Sequence, residues 1–319
     1  MRILSIDGGG IRGLIPAVVL AEIERRTQRR IADLFDLIAG TSTGGILACA
    51  LTAPGEQDAG SPRFTAAELS GLYEEEGPRI FSRSLLKRIT SVEGLLDERY
   101  EDDGLNRALA TYLQDTRLRD ALTPILVTAY DIEQRAAFFF RTGRAVGDAA
   151  HDFSMVDVAR ATSAAPTYFE PIEVADAAGV RRYPLVDGGV FAINPAMCAY
   201  ADVPDPSRIE LIASLGTGKV TRPIEYRNAR SWGQLEWARP LIDGVFDGVA
   251  DTVDFQLSRL LAGGSYLRLQ PELRRASDDL DDASASNLAR LREEAEALIA
   301  ERDADIDALC ERLLSPRAG

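Results

Sequence analysis

Within the first 50 residues, one order of motifs restricts the fold more than anything else in this chain. Residues 2–6 are an apolar strand that runs into Gly8-Gly9-Gly10-Ile11-Arg12-Gly13. A helical pattern follows, with Leu14, Val18, Ala21 and Ile23 on its apolar side. Residues 34–39 form a second apolar strand that stops at Gly40, and Gly44-Gly45 opens a helix over 46–51. Strand, glycine turn and helix, twice over, is the pattern of a parallel sheet covered by helices. Further strands are expected at 124–132, 137–141, 183–186, 209–215 and 266–269, the first two as hairpin neighbours. A helix over 156–165 should end at Pro166. Residues 65–120 read as a charged helical insertion over the sheet, and 288–314 as one amphipathic helix.

The balance of 36 basic against 50 acidic residues gives a net charge of −14. That sign opposes nucleic-acid binding and broad adsorption to anionic lipid. Cys49, Cys198 and Cys310 stand far apart with no CxxC, which excludes a zinc cluster and a disulfide framework. The acidic run Asp303-Asp305-Asp307 has Ala308 where a calcium loop needs glycine, so no EF-hand is expected. The N-terminus lacks a signal-peptide pattern, and no apolar run approaches the roughly 20 residues that span a bilayer. A cytoplasmic protein is therefore expected.

The glycine loop fits G-x-G-x-x-G and lies between a strand and a helix, as a dinucleotide site requires. Asp7 would set a negative charge beside a pyrophosphate, and the second strand ends without the acid that grips a ribose. A P-loop fails as well, because Val220 follows Gly218-Lys219 and Ala213 occupies the first glycine position. The better reading is an oxyanion hole. Consecutive glycines let several N–H groups face one point, and the helix behind adds its positive end.

Gly40-Thr41-Ser42-Thr43-Gly44 is G-x-S-x-G between strand and helix. A nucleophile on so sharp a turn projects above the sheet edge, and small residues two places away on either side avoid collisions. The only histidine, His151, lies in a polar loop and reads as a solvated side chain. Asp187-Gly188-Gly189 ends a buried strand, where a parallel sheet presents functional residues. A partly desolvated Asp187 aimed at Ser42 would gain basicity. An ordinary D-G turn is the competing reading.

These three motifs, in this order, resemble the patatin-like phospholipases. The segments 124–131 (PILVTAYD), 161–169 (ATSAAPTYF) and 214–218 (SLGTG) are also similar, so the likeness spans roughly residues 1–270. The resemblance implies a three-layer α/β/α fold with a mostly parallel central sheet, a helical insertion and a C-terminal helix. It implies a catalytic domain over 1–275, with 276–319 as a helical extension packed on it or on a partner. It further implies Ser42 as nucleophile and Asp187 as general base, without histidine. Gly8, Gly9 and Gly10, with Arg12 nearby, would form the oxyanion hole. Gly13, Gly40, Gly44, Gly188 and Gly189 would be the glycines of the motifs. The implied substrate is a phospholipid or other acyl-ester lipid, with no metal or organic cofactor. Arg12 could orient a lipid phosphate or form a salt bridge. The helix over 231–261 carries Trp232 and Trp237, for core packing or for peripheral contact with a membrane.

Overall fold

The structure is a computed structural model that describes residues 1–80, 102–219, 223–261 and 263–317. Among the described residues, eight strands form one sheet. They are β1 Arg2–Ile6, β2 Leu37–Thr41, β3 Ile125–Asp131, β4 Ala136–Arg141, β5 Ile172–Ala175, β6 Arg182–Asp187, β7 Leu211–Leu215 and β8 Tyr266–Leu269. The helices that matter below are α1 Leu14–Thr27, α2 Thr43–Thr52, α3 Ala66–Ile80, α4 Asp102–Leu113 and α5 Met155–Thr162. They are followed by α6 Ala196–Asp202, α7 Gln234–Leu260, α8 Ala285–Glu301 and α9 Asp303–Leu314.

Strands β3, β2, β1, β7 and β8 lie side by side and parallel. Successive β1 side chains point to opposite faces, and both faces are apolar, so both must be covered. Leu4 and Ile6 join a core with α1, α2 and α9, including Leu20, Leu47 and Ile306. Ile3 joins a second core with Ala196 of α6 and Leu257 of α7. Each fully buried aliphatic side chain contributes about 1.5–3 kcal/mol. The result is three layers, helix on sheet on helix.

The antiparallel strands build the site. One edge of β3 is paired along its length with β4. Its other edge is shared: β2 covers Ile125 to Thr128 in parallel, and β6 covers Ala129 to Asp131 antiparallel. Strands β2 and β6 therefore approach along one line from opposite directions, and their C-terminal ends meet. Thr41 is opposite Thr128, and Asp187 is opposite the next residue, Ala129. The residue after β2 and the last residue of β6 are thereby delivered to one point.

Several expectations change. Asp187 ends an antiparallel strand, so its position comes from this head-on meeting and not from the rule for parallel sheets. Strand β5, which pairs antiparallel with β6, was not anticipated. The helix expected over 156–165 ends at Thr162, three residues earlier. The helix expected over 288–314 is two helices broken at Arg302, with φ −113° and ψ 27°. Asp303 and Asp305 in the first turn of α9 favour a fresh start there, because carboxylates stabilise a helix N-terminus. The break lets the two helices seat on different cores. Leu288, Leu291 and Ala295 of α8 pack against Ile11, Leu14, Ile15 and Val18, while Ile306 and Leu309 of α9 reach the core that contains Leu4. Within the insertion expected at 65–120, residues 81–101 lie outside the described residues, and the rest contains α3 and α4. No helix among the described residues is long and apolar enough to cross a membrane.

Candidate active site

Ser42 occupies the turn between β2 and α2, with φ 55° and ψ −125°. Positive φ is strained for a residue with a side chain, and such strain clusters at functional sites. The flanking glycines explain how the turn closes. A Cβ on Gly40 would lie 2.2 Å from the Gly44 carbonyl oxygen, and one on Gly44 would lie 2.1 Å from the Ile6 carbonyl oxygen. The turn is fixed from outside as well, since the Ser42 N–H donates to Thr162 Oγ1 at 2.8 Å.

Asp187 faces this serine. The Ser42 hydroxyl donates to its carboxylate, and the Gly189 N–H donates to Oδ1 at 2.7 Å. Its own N–H is tied to the Ala164 carbonyl at 3.0 Å. Asp187 is 3% exposed. Burial pushes its carboxyl up to about 7, and the two hydrogen bonds only partly oppose the rise. A carboxylate at that level is a competent base near neutral pH. Gly188 fits against Thr128 on β3, the strand on which the two ends meet.

The glycine loop lies beside Ser42 because β1 and β2 are parallel neighbours, with Ile6 opposite Gly40. Its amides are not equivalent. The Gly8 N–H is bonded to the Ile193 carbonyl at 2.9 Å, the Ile11 N–H to Leu280 at 2.9 Å and the Arg12 N–H to Gly9 at 3.1 Å. Of the four residues expected at the oxyanion hole, Gly9 and Gly10 are the ones that line the cleft with no backbone acceptor for their N–H groups among the described residues. Gly8 and Arg12 support the loop. Gly13 lies against Thr43, whose hydroxyl bonds Tyr73. The Arg12 side chain is buried, lies outside the cleft lining, and feels the carboxylates of Asp7 and Asp247.

Two contributors to the loop were missed in the sequence. Asp7 is buried and forms a bidentate pair with Arg268 of β8, at 3.0 and 2.5 Å. Burial raises the Asp7 carboxyl, and Arg268 opposes the rise. A charged residue in the short strand YLRL was the available signal. Thr217, in the turn after β7, donates to the Gly8 carbonyl at 2.7 Å.

Ser42, Asp187, Gly9 and Gly10 line one cleft with a cavity volume of about 100 Å³. The other walls are apolar: Leu47 and Ala50 from α2, Leu69 and Leu72 from α3, Leu105 and Leu109 from α4. Helices α3 and α4 thus place apolar side chains in the same cleft as the serine. His151 is absent from this lining. It lies in a surface turn with Nδ1 3.0 Å from Asp148 Oδ2. Among the described residues, no group of three His, Cys, Asp or Glu side chains could hold a metal ion.

Trp232 and Trp237 pack edge to face, with ring centroids 5.1 Å apart. Helix α7 is buried in one part and exposed in another. Val253 and Leu257 are core residues, whereas Trp237, Leu241 and Val245, spaced four apart, are 37%, 57% and 41% exposed.

A sharp G-x-S-x-G turn beside a glycine loop, on a mostly parallel sheet, places the chain among the α/β proteins with a strand–turn–helix serine elbow. The description "Patatin-like phospholipase" matches residues 4–200. Patatin-like protein 2 of Arabidopsis thaliana is 35% identical, over 90% of this chain and 80% of its own. A Solanum tuberosum relative named "Probable inactive patatin-3-Kuras 1" is 31% identical, over 94% of this chain and 86% of its own. Among solved structures, VipD from Legionella pneumophila aligns with 94% of this chain and 66% of its own, at 12% identity and a TM-score of 0.37. The chain belongs to the patatin-like phospholipase family.

Proposed function

We propose that this protein is a serine lipid acyl hydrolase of phospholipase A type, acting on fatty-acyl esters of glycerophospholipids through a Ser42–Asp187 dyad. The observation that carries the reading is a buried carboxylate, raised to about 7, hydrogen-bonded to a serine in an apolar cleft. Asp187 takes the hydroxyl proton as Ser42 Oγ attacks the ester carbonyl. The Gly9 and Gly10 N–H groups hold the oxyanion. Asp187 then passes the proton to the departing alkoxide, which leaves an acyl-enzyme. In the second half, Asp187 takes a proton from water as the hydroxyl oxygen attacks the acyl carbonyl, and returns it to Ser42 Oγ as the fatty acid leaves.

The cleft walls match a hydrocarbon chain, which desolvates at about 0.8 kcal/mol per buried methylene. The exposed stripe Trp237, Leu241 and Val245 adjoins Phe246, which lines the cleft, so peripheral contact with a lipid surface would bring substrate to the opening. A non-catalytic module on the same fold is the competing reading, and the name of the potato relative keeps it in view. Hydrolysis of nitrophenyl esters and phosphatidylcholine decides between them. Wild type should cleave both, with a preference for longer acyl chains. Ser42→Ala should lose at least about a thousandfold, in line with loss of a nucleophile. A folded wild type with no hydrolysis of either substrate would refute the proposal.

A further inference from the structure

The acidic loop at 276–286, which the motifs leave without a role, closes over the glycine loop. The Leu280 carbonyl accepts the Ile11 N–H at 2.9 Å. A Cβ on Gly10, where φ is +57°, would lie 2.2 Å from the same oxygen. The Leu280 side chain forms part of the cleft wall. The segment 274–284 is thus a strap seated on Gly10 and Ile11 of the glycine loop.

Outside α8 the strap has no regular structure, so its backbone groups need other partners. Two buried side chains of α8 supply them. Asn287 is 1% exposed; its Oδ1 accepts the Ser277 N–H at 2.7 Å, and its Nδ2 donates to the Asp282 carbonyl at 2.8 Å. Glu294 is 7% exposed and accepts the N–H groups of Arg274 and Arg275 at 2.9 and 2.8 Å. Helix α8 itself packs on Ile11, Leu14 and Ile15, at and after the glycine loop. The contacts form a closed circuit from the glycine loop to α1, α8, the strap and back.

We infer that Asn287 and Glu294 are positioning residues for the oxyanion hole. They pin the strap, the strap holds Ile11 through Leu280, and the Gly9 and Gly10 N–H groups stay aimed at the cleft. Preorganised donors are effective because they do not reorient during reaction, and losing one outright costs about 10²–10³ in kcat. A loosened loop should lose somewhat less, about 10- to 100-fold. The inference rests on the hydrolase reading of Ser42, so one arm of the test is independent of activity.

The test combines hydrogen exchange with steady-state kinetics on a short nitrophenyl ester, using the full chain. In the wild type, the amides of Ile11, Arg274, Arg275 and Ser277 should exchange as one group. Asn287→Ala and Glu294→Ala should speed Ile11 exchange about tenfold or more and leave β1 and β2 unchanged. Their kcat should fall about 10- to 100-fold with KM within about threefold. Glu294→Gln keeps the accepting oxygen and should restore both readouts. Ile11 exchanging independently of the strap in the wild type would overturn the inference even if the variants do not fold. Unchanged kcat in a folded Asn287→Ala, or exchange that accelerates equally throughout the sheet, would overturn it too. A wild type that cleaves no ester removes the hydrolase reading, while the exchange arm still decides whether the strap holds the loop.

Discussion

Asp187→Asn should make the protein inactive and, at alkaline pH, more stable. In the folded protein the Asp187 carboxyl is raised from its ordinary 3.8 to about 7, chiefly by burial. Between those values the native state holds a proton that the unfolded chain has released. Its stabilising contribution is complete below pH 3.8 and disappears as pH rises through 7. At about 1.4 kcal/mol per tenfold, the ionised carboxylate costs the native state about 4 kcal/mol at pH 8. Asparagine has nearly the same shape and carries no charge. Its carbonyl can still accept the Gly189 N–H, although its amide cannot replace the second carboxylate oxygen as an acceptor. Allowing about 1 kcal/mol for that loss, a gain of about 3 kcal/mol is expected at pH 8. It should vanish near pH 4. For a chain of this size the gain corresponds to roughly 4–5 °C in Tm. Thermal unfolding of both proteins at pH 4, 6 and 8 measures it, alongside kcat/KM of the wild type, which should fall below about pH 7 with unit slope. A variant no more stable at pH 8, or equally shifted at pH 4 and pH 8, would refute the burial argument for Asp187.

Ser42→Gly should be inactive yet about 1 kcal/mol more stable than Ser42→Ala in urea unfolding, because glycine relieves the positive φ and returns only part of the gain as unfolded-state entropy. Arg268→Met leaves the buried Asp7 without its ion-pair partner and should cost about 3–5 kcal/mol by the same assay. Asp7→Asn combined with Arg268→Met should cost less than the sum of the single changes, since no lone charge is then buried. Trp237→Ser with Leu241→Ser should abolish co-sedimentation with phosphatidylcholine vesicles and leave kcat on a short soluble ester unchanged; retained sedimentation would end the interfacial role.

What could be read in the sequence was local. Gly40, Ser42 and Gly44 are close together, and their turn depends on atoms within a few residues, so the elbow was visible before the fold was known. The three glycines before Ile11 likewise pointed to an oxyanion hole. Which of their amides remain available depends on Ile193 and Leu280, distant partners that no local pattern reveals. Asp187 was found by its D-G-G turn, but the direction of β6 was not, because strand pairing is set by contacts between separated segments. Arg268 hid in a four-residue strand, although a guanidinium among apolar residues is costly to bury without a partner and could have been pursued. The break at Arg302 was legible in Asp303 and Asp305, which mark a helix start more clearly than the continuous apolar stripe suggested. Asn287 and Glu294 looked like ordinary polar positions on a helix, because what they bind lies in a loop without a pattern of its own.

The most direct measurement is the site and pH dependence of labelling by a fluorophosphonate, read by mass spectrometry of the digested protein. One adduct is expected, on the peptide carrying Ser42, at a rate that rises through about pH 7 with the ionisation of Asp187. Ser42→Ala and Asp187→Asn should not label, and His151→Ala should label at the wild-type rate. An adduct elsewhere, or a folded His151→Ala that no longer labels, would contradict the Ser42–Asp187 dyad.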